Sequence, residues 1–100
     1  MLFAIHCLDR ADALADRLAH HAEHRAYLAE GHVHLVVAGP LVSDDGDMMI
    51  GSLFLVEAPS RDAAVAFNAN DPFSRLGIWE KVVIKRFDKK TDNRSTSAAS

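Results

Sequence analysis

Residues 32–57 read HVHLVVAGPLVSDDGDMMIGSLFLVE, two apolar runs separated by a polar cluster. Val33, Leu35, Val36 and Val37 are β-branched or aliphatic, so His32–Gly39 is expected as a strand, ended by Gly39-Pro40. Ser43-Asp44-Asp45-Gly46-Asp47 is a turn cluster, and its Asp-Gly pair is a strong hairpin signal. Met48–Glu57 then returns as a second strand beside the first. A hairpin in the middle of the chain leaves one strand and one helix on each side to be placed.

Upstream, Leu2–Leu8 is a continuous apolar run broken by His6, the pattern of a buried strand. Asp9 offers a helix N-cap, and Asp12 puts negative charge in the first turn. From Ala11 to about Glu30, Leu14, Leu18, Ala22 and Leu28 or Ala29 recur near the helical period, and Gly31 is a natural stop. Downstream, Ala58-Pro59-Ser60 closes the hairpin, and Ser60 caps an expected helix from Arg61 to about Asn70. Asp71-Pro72-Phe73 opens a short turn or helix that stops at Gly77, and Ile78–Phe87 is the last strand. The order β-α-β-β-α-β is the ferredoxin-like, α+β plan: a four-stranded antiparallel sheet with two helices on one face.

The strands add a constraint. Phe3, Ile5 and Cys7 point one way and Leu2, Ala4 and Leu8 the other. Val33, Leu35 and Val37 oppose Val36 and Ala38, and Leu53 and Leu55 oppose Phe54 and Val56. An antiparallel sheet with one wet face alternates apolar with polar residues, and these strands do not. Two helices cover one face only, so the other needs a cover, most simply a second copy of the chain packed sheet to sheet. A homodimer is expected, with further assembly left open.

Composition bounds the function. One hundred residues, 49% hydrophobic and 25% charged, make one ordinary globular domain. A formal net charge of −3 argues against nucleic acid or an anionic membrane as partner. No run approaches a membrane span, and the N-terminus lacks the basic region of a signal peptide. With a single cysteine, Cys7, no internal disulfide or Cys-rich zinc site can form, and a cytoplasmic location is expected. Residues 88–100 turn polar and are expected as a flexible tail outside a domain of residues 1–87.

Six histidines are many for this length. His20 and His24 are four apart and share a helix face, but His-Glu-x-x-His is absent and no third ligand is marked, so no metal is expected. His24 lies at the edge of the apolar stripe with Tyr27 on nearly the same side, where it either reaches a cleft as a general acid or base or bonds to the backbone. Asp71 either only caps the short helix or also orients a histidine. His6 and His34 interrupt apolar strands and face either a pocket or the core; Cys7 is expected as a small core residue. No Gly-x-Gly-x-x-Gly, P-loop or Gly-x-Ser-x-Gly occurs.

His24-Arg25-Ala26-Tyr27-Leu28, Ala38-Gly39-Pro40-Leu41, Asp44-Asp45-Gly46, Gly51-Ser52-Leu53, Asn70-Asp71-Pro72-Phe73 and Gly77-Ile78-Trp79-Glu80, in that order and spacing, resemble the YCII-related (YciI-like) proteins. The resemblance runs from the first strand through Phe87. It implies a ferredoxin-like fold paired as a dimeric α+β barrel, in a superfamily that includes small-ring lyases, isomerases and cofactor-free oxygenases. It also implies a His-Asp active site, which falls here on His24 and Asp71. The family's Arg-x-x-His pattern is broken, because the arginine position is His21. That departure implies loss of a permanent cation near the site. Two functions follow as expectations. One is an enzyme without metal or organic cofactor, a lyase or isomerase in which His24 and Asp71 act on a small cyclic or hydroxylated aromatic substrate and His6 and Ser52 line the pocket. The other is a non-catalytic dimer that binds a small-molecule ligand in the same pocket.

Overall fold

The computed structural model describes residues 1–94. Its elements run β1 (Leu2–Asp9), α1 (Leu14–Ala19), α2 (His21–Ala29), β2 (His34–Val42), β3 (Met49–Glu57), α3 (Arg61–Ala69), α4 (Pro72–Arg75) and β4 (Trp79–Phe87). The four strands form one antiparallel sheet in the order β2-β3-β1-β4. This is the ferredoxin-like βαββαβ arrangement read from the sequence. Ser43–Met48 makes the hairpin loop, closed by Ser43 N–H donating to Met48 O at 2.8 Å. Ser60 caps α3, its Oγ accepting from Ala63 N–H at 3.1 Å.

The core lies between the sheet and the helices. Phe3, Ile5 and Cys7 of β1 and Phe54 and Val56 of β3 point into it and meet Ala64, Phe67, Phe73 and Ile78. Removing these apolar groups from water is the main drive for the packing. Cys7 is a core residue as expected. Asn68 Nδ2 donates to its Sγ at 3.4 Å, and burial pushes its thiol up to about 12.

Three expectations are corrected. First, β2 does not end at Gly39-Pro40 but continues to Val42. It is an edge strand, where a proline removes no ladder bond that the sheet needs. Second, a bulge at Val36 shifts the register, so that Leu35 lies opposite Val56 and Val37 opposite Leu55. Leu35 therefore packs on the core while Val37 turns outward, and the shared face read for them does not exist. Third, the first helix is two helices that meet at His20 (φ −111°, ψ 13°), and they turn a different side inward. Leu18 is 58% exposed, whereas Ala13, Arg17 and His24 are buried. The inward stripe is displaced by one residue, roughly 100° around the axis. Asp9 caps nothing. It ends β1, and its carboxylate binds Arg17 instead.

At Gly51 the backbone of β1 closes off the space for a side chain. A Cβ there would stand 2.3 Å from the Cys7 carbonyl oxygen. Gly51→Ala must therefore push β3 away from β1, at a cost of about 1–3 kcal/mol or more. We expect a clear fall in the thermal midpoint of that variant; an unchanged midpoint would contradict the packing described here.

The outer face of the sheet carries apolar side chains without a covering layer of helices. Val37, Leu53 and Phe87 are 44%, 43% and 41% exposed. Lys89–Arg94 pass beside them and help to line a shallow groove with Ala4 and Leu55. Of the expected tail, residues 95–100 lie outside the described residues. Among the described residues no helix is long and apolar enough to cross a membrane.

Candidate functional site

Asp71 owes its position to local chemistry. Pro72 occupies the first turn of α4, and Asp71 stands before it in extended backbone, with Oδ1 accepting from Phe73 N–H at 2.9 Å. The carboxylate is fully buried. Both of its oxygens lie 2.9 Å from Nδ1 of His24, which arrives from α2. A carboxylate only accepts, so Nδ1 donates, and Nε2 is the nitrogen left for other partners.

Aromatic rings hold the imidazole in place. Phe73 stacks on it at 4.1 Å with an interplanar angle of 7°, and Phe54 and Trp79 meet it edge-on, each at 6.2 Å. Phe73 follows Asp71 by two residues, so one short segment supplies both the carboxylate and the stacking ring.

His24 lines a cavity of about 210 Å³ between α1–α2 and the β2–β3 edge of the sheet. An engineered cavity of about 150 Å³ accommodates benzene, so this volume suits one substituted six-membered ring. Ala38, Gly39 and Pro40 form the β2 wall, brought inward by the bulge at Val36. Ser52 is buried and belongs to the lining.

Sequence reasoning missed Arg17. It is buried in the same cavity wall, with Nε and Nη2 bound to the two oxygens of Asp9 at 2.8 and 3.0 Å. Nη2 also donates to Gly51 O and Ser52 Oγ, each at 2.8 Å. Its Cζ lies 4.8 Å from the Phe73 ring centre. The signal was its spacing: Arg17 precedes His24 by seven residues, two turns of helix, and so shares its face. The permanent cation that appeared lost at His21 is thus present one turn earlier. His21 itself is exposed and lines the cavity mouth.

His6 does not join the site. It stands on β1 opposite Leu53, exposed on the outer face of the sheet, while its neighbours Ile5 and Cys7 point to the helices. Two-residue alternation therefore separates it from His24, and its assignment to this pocket is corrected. His34 is also exposed. His20 pairs with Glu23, and His32 pairs with Glu30 and stacks on Tyr27. Among the described residues no three His, Cys, Asp or Glu side chains are grouped to hold a metal.

Known proteins share this fold. The YCII-related domain matches residues 1–88. Protein YciI of Escherichia coli O6:H1 and that of Shigella flexneri are each 33% identical over 96 residues, 89% of this chain and 98% of theirs. Among solved structures, 5-chloro-2-hydroxyhydroquinone dehydrochlorinase (TftG) of Burkholderia phenoliruptrix AC1100, in complex with 2,5-dihydroxybenzoquinone, superposes with a TM-score of 0.82. It is 33% identical, and the match covers 90% of this chain and 96% of that one. A NIPSNAP domain protein of Burkholderia xenovorans, 15% identical with a TM-score of 0.51, covers 93% and 100% and shares the fold alone. By the domain matched over residues 1–88 and the 33% identity to YciI, this chain belongs to the YCII-related family.

Proposed function

We propose that this chain is an enzyme of the lyase or isomerase type, working without an organic or metal cofactor on a small hydroxylated ring. His24 is its general acid and base, and Asp71 holds the imidazole. The observation that carries this reading is the pair of 2.9 Å contacts from His24 Nδ1 to buried Asp71, with His24 at the wall of a one-ring cavity. The dehydrochlorinase that this chain resembles acts on a chlorinated hydroxyhydroquinone, and its structure holds a dihydroxybenzoquinone.

The chemistry needs one group that both takes and gives a proton. Nε2 removes a hydroxyl proton from the ring, and the resulting imidazolium is stabilised by Asp71. The same proton is then returned to a ring carbon, giving a keto tautomer. An isomerase stops there. In a lyase a second hydroxyl proton leaves, and a halide on that carbon departs with its bonding pair. The net loss is one proton and one halide, so no electron acceptor enters the balance. The test is halide release from 5-chloro-2-hydroxyhydroquinone by the purified chain. Catalysed release supports the reading. Binding of the ring without release or isomerisation would overturn it in favour of a non-catalytic binding protein.

We further propose that the outer face of the sheet pairs with a second copy, sheet to sheet. Val37, Leu53 and Phe87 form the exposed apolar patch that such pairing would bury. Light scattering after gel filtration should give twice the chain mass for the wild type and the single-chain mass for Leu53→Lys. A wild type that is monomeric at micromolar concentration would refute the pairing.

A further inference from the structure

The cavity beside His24 runs against the charge of the molecule. The chain carries a formal net charge of −3, yet Arg17, His21 and Arg25 line this cavity and no carboxylate does. A concave site lined by one sign of charge concentrates ligands of the other. Within it, Arg17 is 2% exposed, and its bonds are unevenly spent. Nε and Nη2 serve Asp9, Gly51 and Ser52, while Nη1 has no hydrogen-bond partner among the described residues. Nη1 is not among the buried polar atoms left without a partner, so this edge of the guanidinium is open to whatever enters the cavity.

We propose that Arg17 Nη1 is the oxyanion ligand of this site. It holds the ring oxygen that becomes negative as His24 takes the proton, so the substrate class is a hydroxylated ring whose conjugate base is a delocalised phenolate or enolate. This rests on the acid/base reading above and narrows its substrate. Asp9 neutralises the opposite edge of the guanidinium and fixes its plane, so that Nη1 acts as a directed donor. Arg25 adds a second cation to the cavity lining. Phe73 touches both partners, His24 on its ring at 4.1 Å and the Arg17 guanidinium at 4.8 Å, and thereby holds donor and base at a set separation.

The test is calorimetric titration of the full chain with two probes of one-ring size, 2,5-dihydroxybenzoquinone, which is anionic at neutral pH, and neutral hydroquinone. The wild type should prefer the anion by at least about tenfold, and the preference should fall to within about twofold in Arg17→Lys, which keeps the pairing with Asp9 but has no Nη1. The double variant Asp9→Leu/Arg17→Met, which removes the buried pair together, should lose the preference in the same way. An anion preference retained in a folded variant, or absent from the wild type, overturns the proposal. The acid/base reading fails on a different measurement, turnover by a His24 variant, so the two failures are distinguishable.

Discussion

His24→Ala is expected to lower kcat/KM for ring elimination by about 10²–10⁴-fold, the range that a positioned proton-transfer group contributes. The measurement is halide release against ring concentration, with gel filtration and circular dichroism to confirm the fold. Alanine also opens a void among Phe54, Phe73 and Trp79 and leaves Asp71 buried without its histidine, so loss of activity alone is ambiguous. Asp71→Asn resolves this. Asparagine is as good an N-cap as aspartate, and its side-chain oxygen can still accept from Phe73 N–H and start α4. It removes the charge that stabilises the protonated imidazole, and it turns an amide donor toward Nδ1, which favours the other tautomer. A comparable substitution in a Ser-His-Asp triad costs about 10⁴-fold, and a large loss with an unchanged thermal midpoint is expected here. Wild-type turnover in both variants would end the catalytic assignment.

Arg17→Met should be the most destabilising single change among the polar residues of the core. Arg17 and Asp9 are 2% and 5% exposed, and removing the cation leaves a buried carboxylate with no counter-charge. Breaking such a pair from one side costs about 3–5 kcal/mol. Domains of this kind have only about 5–15 kcal/mol to lose. At about 4–8 °C per kcal/mol for a domain of this size, the thermal midpoint should drop by more than about 12 °C. Removing both charges in Asp9→Leu/Arg17→Met should restore part of the loss, because no buried charge is left unpaired, although Gly51 O and Ser52 Oγ lose the Nη2 donor. A single variant as stable as the wild type would show that the pair is not the anchor of the β1–α1 corner.

The sequence announces those features whose causes are local. The hairpin follows from an Asp-Gly turn between two apolar runs, and the α3 and α4 starts from Ser60 and Asp71 with their own neighbours. Each cause lies within a few residues of its effect. The first helix misleads for the opposite reason. Its orientation is set by Asp9, Ser52 and Asp71, which reach Arg17 and His24 across the chain and turn them inward at the expense of Leu18. Apolar periodicity has no access to such partners. His6 was legible by parity, since burial of Ile5 and Cys7 against the helices sends the residue between them outward. The Val36 bulge left no comparable mark, because any residue of that run could have been the extra one. His24 and Asp71 stood out through the motifs around them, and the distance between them required the fold.

The bulged strand has a further consequence for how such a site can diversify. His24 and Asp71 are anchored by helices and caps, whereas the Ala38–Pro40 wall belongs to a strand with one neighbour, β3. Moving the extra residue along that margin would exchange which side chains face the ring, and it would break no ladder in the middle of the sheet. On the proposed reading, proton chemistry and ring selectivity would thus be carried by separate parts of the molecule. New substrates can be reached by insertions and deletions in β2, while the dyad itself stays in place.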